Sequence, residues 1–218
     1  MFLSIFLGYL WSQCLGIFGG RITLHMGLCH KQFKMPIWFE TFWLFATTIL
    51  FINTPIGWIA SHRMHHDNTD TDKDPHSPKH VGLLKVLTTT WSIDSIPRKY
   101  CKDLFRNKRI MFLHKYWKHV GISIWIVSLI ISPYFLLGFC VMPFILSRVA
   151  YGLLNTVGHM KDGGSNYLWL DLFTVGEGFH LQHHINSSQI VLHDKDYVGH
   201  LTKKMFTSYI CMEYCFLK

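Results

Sequence analysis

The chain has 218 residues, half of them hydrophobic and 16% aromatic, and a formal charge of +8. That length suits one domain or a small membrane bundle with a cap, and it argues against two domains. Apolar bulk with a basic excess points to a membrane protein with a basic cytoplasmic face; the positive charges alternate with long uncharged runs, which argues against nucleic acid as a partner.

Met1 to Gly20 carries no charged side chain, and twenty residues at about 1.5 Å rise match a bilayer core. The run is predicted to be a transmembrane helix. A cleaved signal peptide is disfavoured, because no basic stretch precedes the apolar run and no small-x-small site stands before Arg21. Residues 36–61 form a second apolar run, interrupted by Asn53, Pro55 and Gly57. If His25 and His30 before it and His62, His65 and His66 after it share a metal centre, the run begins and ends on one membrane face. It is therefore predicted to lie in the interface or to dip in and return.

Residues 62–118 are polar, with Asp-Pro and Ser-Pro turns at 74–75 and 77–78, and read as soluble. Residues 120–158 hold a single charge, Arg148, with Pro133, Gly138 and Pro143 near the middle, the pattern of two membrane helices at about 120–138 and 139–158 joined by a turn. Residues 159–218 are polar again. All 21 Lys and Arg lie at or after Arg21 and none falls in the 133–143 turn, which places the histidine-bearing segments on the cytosolic face. The expected fold is an all-α integral membrane protein, a single domain over 1–218 with about three transmembrane helices and a helical cytosolic cap.

Six cysteines show no CxxC pair and read as ordinary thiols. Fifteen histidines are the outlier, about three times ordinary usage. Only Glu40, Glu177 and Glu213 accompany them, too few for a carboxylate-bridged metal bundle. The histidines cluster as His25-Met-Gly-Leu-Cys-His30, His62-Arg-Met-His65-His66, Asn155-Thr-Val-Gly-His159 and His180-Leu-Gln-His183-His184. Spacings of three and four share a helix face, so each HxxHH presents two or three imidazoles to one pocket, and Asn155 faces with His159. His25 and His30 are about 140° apart on an ideal helix and need a helix end or an unwound turn to converge. Nine histidines exceed one centre and imply two metals. Imidazole alone does not choose the metal, but redox chemistry on an apolar substrate favours iron over zinc. The remaining histidines, His76, His80, His114, His119, His193 and His200, are expected at the surface.

These boxes, with the runs from Arg21 to His25 and from Asp67-Asn-Thr-Asp-Thr-Asp-Lys-Asp-Pro to His76, and Gly176-Glu-Gly-Phe leading into the last box, resemble the acyl-CoA delta-9 (stearoyl-CoA) desaturase family over about residues 1–190. The resemblance implies a cytosolic di-iron site ligated by His25, His30, His62, His65, His66, His159, His180, His183 and His184, with Asn155 acting through water. It implies O2 as co-substrate, an electron donor such as a b-type cytochrome or ferredoxin, and a cis double bond, at delta-9, placed in a saturated chain carried as acyl-CoA. The family tryptophan that shapes the acyl tunnel matches Trp58. Three departures stand out: Ala60-Ser61 replaces the Arg-Asp of animal enzymes, Tyr151 replaces a small polar residue, and the first of the family's four membrane helices has no counterpart here.

A basic cluster at Arg98, Lys99, Lys102, Arg106, Lys108 and Arg109 would meet the polar head of the substrate or anionic lipid. The expected location is a multi-pass membrane position, in the endoplasmic reticulum if eukaryotic or the inner membrane if bacterial. Three other readings compete: a lipid hydroxylase with the same boxes, a truncated inactive relative, and a metal transporter. The last needs ligands at bilayer depth, whereas all nine histidines lie at or beyond span ends.

Overall fold

A computed structural model describes residues 1–93 and 95–215, with side chains placed as far as Phe206. Asp94, the last three residues, and the side chains of Cys211, Glu213 and Cys215 lie outside the described residues. All regular elements among the described residues are helical; a lone bridge pairs Asn166 with Phe179.

Helix α1 (Phe2–Cys29) begins as an ordinary α-helix and from Leu15 widens to hydrogen bonds five residues apart. It crosses α6 (Pro133–Val157) where two glycines let the backbones touch. A Cβ on Gly8 would stand 2.7 Å from the Gly138 carbonyl oxygen, and one on Gly138 would stand 2.5 Å from that of Ser4. Trp11 seals the crossing by donating to the Phe139 carbonyl at 3.1 Å and stacking on its ring. Small residues that bring helix backbones together are the usual contact inside a bilayer, where lipid is as apolar as leucine.

Helices α2 (Ile37–Leu50) and α3 (Pro55–Asn68) meet at 88°. Phe51 at the corner takes a left-handed φ of 47°, and Thr54 caps α3 by accepting from the Gly57 N–H at 2.9 Å, with Pro55 in the first turn. The short α4 (Leu83–Leu87) packs on α6, where a Cβ on Gly152 would overlap the Leu87 carbonyl.

Helix α5 (Lys108–Ile131) starts on an Asn107 side-chain cap and changes character midway, from Lys108, Arg109, Lys115 and Lys118 to outward Ile122, Ile126, Val127 and Ile130. The break before α6 falls at Ser132–Pro133, earlier than the 138–139 boundary expected from the sequence. Pro133 cannot continue the ladder and Ser132 caps Tyr134, while Gly138 serves the α1 contact instead. Helix α7 (His180–Ile185) carries the last histidine box, and α8 (Tyr197–Cys215) closes the fold.

Two helices, α1 and α6, are long and apolar enough to cross a membrane, and the bent α2–α3 pair makes up to three. Phe2, Leu3, Phe6 and Leu10 of α1 point outward, as do Ile145 and Val149 of α6, which suits contact with lipid. The principal core, Leu24, Leu44, Ile56, Ile59, Leu104, Ile110 and Leu113 among others, lies beneath the histidines where α1, α2, α3 and α5 meet.

Candidate metal centre

All nine box histidines converge. His25, His30, His62, His66 and His183 form one set, and His65, His159, His180 and His184 a second, with the ligand atoms of each within 4.8 Å of one another. In the first set Nε2 of His66 lies 3.0 Å from Nε2 of both His62 and His183, His25 is 3.0 Å from His183, and His30 is 3.2 Å from His62. In the second, His180 is 2.8 Å from His159 and 3.1 Å from His184, which is 3.2 Å from His65.

The helix geometry explains the convergence. Hydrogen bonding five residues apart, seen in His30 N–H to the His25 carbonyl at 3.0 Å, stacks residues i and i+5 and brings His25 and His30 to one side. The expected unwinding is therefore a widening. Arg63, inside the second box, fixes the end of this helix on α3: it donates to the carbonyls of Leu28, Cys29 and Tyr100 and to both oxygens of Asp103.

Carboxylates set the tautomers. Nδ1 of His25 lies 2.7 Å from Glu177, Nδ1 of His65 lies 2.8 Å from Asp74, and Nδ1 of His159 lies 3.2 Å from Asp70. With each Nδ1–H donated outward, the Nε2 lone pairs point inward at other Nε2 atoms. Such facing acceptors share too few protons to be hydrogen-bonded to one another, but they suit a cation: at a metal–nitrogen length of about 2.1 Å, ligands at right angles stand about 3.0 Å apart.

The electrostatics agree with neutral ligands. Burial first, then neighbouring imidazoles, push His30, His180 and His183 far below the ordinary histidine range, and His184 to about 2. Burial opposes ionisation of Glu177, yet His25 and Arg21 hold its carboxyl below the usual value. Arg21 is itself buried, 3.3 Å from Glu177 and 2.7 Å from Asp196, and donates to the carbonyl of Val175, a β-branched residue held at a φ of 52°. Gly176 follows with a φ of 96°, and a Cβ there would overlap the Arg21 guanidinium, so the Gly-Glu turn is shaped to admit Arg21.

Next to the histidines lies a cavity of about 620 Å³, lined by Trp58, Tyr151, Asn155, Leu154 and Arg148 together with residues of α1 and with Thr89, Trp91, Ser92, Ile93 and Ile96. Trp58 stacks on the His62 ring at 5.3 Å and meets Tyr151 at 6.2 Å, so both lie at the cavity wall beside the first histidine set. Asn155 is half-buried in that wall, and no protein hydrogen bond is recorded for its amide among the described residues. Arg98 and Lys99 do not line the cavity; both are exposed, Arg98 over the Phe105 ring and Lys99 3.2 Å from Asp67.

Two expectations need correcting. His76 is not a surface residue: it is buried, its ring 4.2 Å from that of His65, its Nδ1 without a hydrogen bond and 3.9 Å from Asp74. The chain turns it inward at Asp74-Pro75, where Asp74 also accepts from the N–H groups of Asp70 and His76. His193 is half-buried, 3.2 Å from Asp171 and stacked on Phe179. His80, His114, His119 and His200 are exposed. Sequence reasoning also passed over Asp70, Asp74 and Arg21 as parts of the site. The acidic run 67–74 directly after the second box was the available signal for the first two.

A fatty acid desaturase family model matches residues 1–189. The chain belongs to the fatty acid desaturase family. It is 33% identical over 179 residues to the delta-9 desaturase-like 4 protein of Arabidopsis thaliana, covering 74% of this chain and 59% of that one. It is 28% identical over 192 residues to delta-9 acyl-lipid desaturase 2 of the same plant, covering 78% and 60%. With the sn-1 stearoyl-lipid 9-desaturase of Anabaena variabilis it shares 27% over 188 residues, covering 78% and 66%. The chain is thus delta-9 desaturase-like, and it spans about three fifths of the length of the first two relatives.

Proposed function

We propose that this chain is an O2-dependent desaturase that places a cis double bond, at delta-9, in a saturated acyl chain. The observation that carries this reading is the pair of inward-facing imidazole sets at the wall of one largely apolar cavity. His25, His30, His62, His66 and His183 would hold one iron and His65, His159, His180 and His184 the other, and Asn155, in the cavity wall, would hold a water beside His159. Two irons, when bound, supply the one-electron redox chemistry and O2 activation that side chains lack.

The protein's own part is to place and to exclude. Glu177, Asp74 and Asp70 fix the rings, and the core under α3 keeps the box helices rigid. Trp58 and Tyr151 narrow the cavity beside the first set, so a methylene chain is held against the histidines with water excluded. Removing two hydrogens while O2 goes to two waters takes two further electrons and two protons. A one-electron donor, a b-type cytochrome or a ferredoxin, supplies the electrons.

Relatives named for acyl-lipid substrates, together with Ala60-Ser61 beside the second box, favour a chain esterified to lipid at least as much as one carried by CoA. Arg98 and Lys99, outside the cavity, suit contact with anionic heads at the membrane surface. The test is to express the chain in a desaturase-deficient host and analyse its acyl chains by gas chromatography. A new delta-9 monoene that disappears in His183→Ala is expected; a hydroxylated product, or none while the protein accumulates folded with iron, would refute the reading.

A further inference from the structure

Arg148 is the one charged side chain between residues 120 and 158, and it sits in α6, a helix long and apolar enough to cross a membrane. It does not face lipid: it lines the cavity, its guanidinium 4.1 Å from the centre of the Phe144 ring and one Nη donating to the Phe51 carbonyl at 3.2 Å. No ion pair is recorded for it among the described residues, and one hydrogen bond leaves most of its five N–H donors uncommitted. A charged group at such depth is costly and marks a substrate path when it faces a cavity. The wall around it is polar at the edge: Asn53 and His114 are exposed, and His114 meets the Thr54 hydroxyl at 2.9 Å.

Arg148, Tyr151 and Asn155 recur at i, i+3 and i+7, one face of α6, and all three line the cavity. From Arg148 to Asn155 the helix advances about 10 Å, and the guanidinium, over the Phe144 ring, lies further still from Asn155. We infer that Arg148 donates to the carbonyl oxygen at the head of the acyl chain and thereby sets which carbons reach the histidines. The inference rests on the desaturase reading. Its ligand chemistry is the carbonyl that a lipid ester and a CoA thioester share.

The test separates the two. Thermal stabilisation of the iron-loaded protein in nanodiscs is titrated with a 1-stearoyl lipid and its 1-O-octadecyl ether counterpart, and with stearoyl-CoA and its S-octadecyl thioether counterpart, both ethers lacking the carbonyl. Wild type should favour the ester over the ether by about ten- to a hundredfold, the scale of a hydrogen bond to a charged donor. Arg148→Met should lose that preference, Arg148→Lys should keep part of it, and the double bond made by Arg148→Met should spread from delta-9 to neighbouring positions. Whichever of the lipid and the thioester shows the preference identifies the carrier. Equal binding by wild type within both pairs, ester with ether and thioester with thioether, overturns the inference without any variant, as does an unchanged preference in folded Arg148→Met or Arg148→Lys. A wild type that makes no double bond refutes the desaturase reading instead, and the ester-over-ether preference is still measured.

Discussion

Asn155 and His159 stand one helical turn apart near the end of α6, and the difference between them is testable. The ring of His159 is held by Asp70 and its Nε2 faces His180 at 2.8 Å, whereas the Asn155 amide is turned to the cavity. His159→Ala should remove a ligand, abolishing turnover and lowering bound iron. Asn155→Ala should lower turnover about ten- to a hundredfold, the usual scale for losing a group that supports a metal-bound water, while the melting temperature holds. A drop in melting temperature with turnover per folded molecule unchanged would mean that Asn155 only packs the helix. Glu177 offers a second test at this scale. Glu177→Gln keeps the shape but removes the charge that His25 and Arg21 share, so iron affinity should fall about ten- to a hundredfold by metal analysis, together with stability, because Arg21 is then buried with Asp196 alone.

At the scale of elements, the segment between His30 and His62 returns to the point it left, since the Nε2 atoms of those residues are 3.2 Å apart. The α2–α3 pair with its 88° bend is therefore expected to enter and leave on one side. Ser61, at the end of the apolar run, is buried, whereas Lys34 and Asp67 are both exposed and serve as probes. Lys34→Cys and Asp67→Cys should react with an impermeant maleimide from the same face of sealed vesicles; opposite faces would separate the histidine boxes. The α1–α6 crossing makes another prediction. Gly138→Val puts atoms where the Ser4 carbonyl stands and should cost several kcal/mol by overpacking, seen as loss of folded protein in detergent. Val149→Ala on the outward face of the same helix should leave the melting temperature within a degree or two.

For the molecule as a whole, the crowded imidazoles make metal-free protein sensitive to acid. Burial holds His184 at about 2 and His76 at about 3, against about 6.5 in an unfolded chain. A depressed histidine pKa means that the unfolded chain binds more protons below about 6.5, so stability falls as pH drops from that value toward 3 and then 2. Each such histidine costs up to about 2 kcal/mol at pH 5. Chelator-treated protein should therefore melt at progressively lower temperature from pH 7 to pH 5, and iron should restore the midpoint at pH 7 far more than at pH 5, since protons compete for the same nitrogens. A melting temperature flat across that range would show that the histidines are not packed as described.

The sequence alone determined the family and the class of fold. Histidines at i, i+3 and i+4 must share a helix face, a twenty-residue uncharged run must find an apolar medium, and both follow from helix geometry without knowing what packs where. The tertiary structure decided how the pieces meet. Widening of α1 to five-residue hydrogen bonds brought His25 under His30, which an ideal helix does not do. The inward turn at Asp74-Pro75 buried His76, which looks like a surface residue because the stretch around it is polar and its carboxylate partners come from a loop. The exposed sites of Arg98 and Lys99 and the cavity position of Arg148 likewise depend on which face of a helix its neighbours leave open, and that is a property of packing between elements distant in the chain.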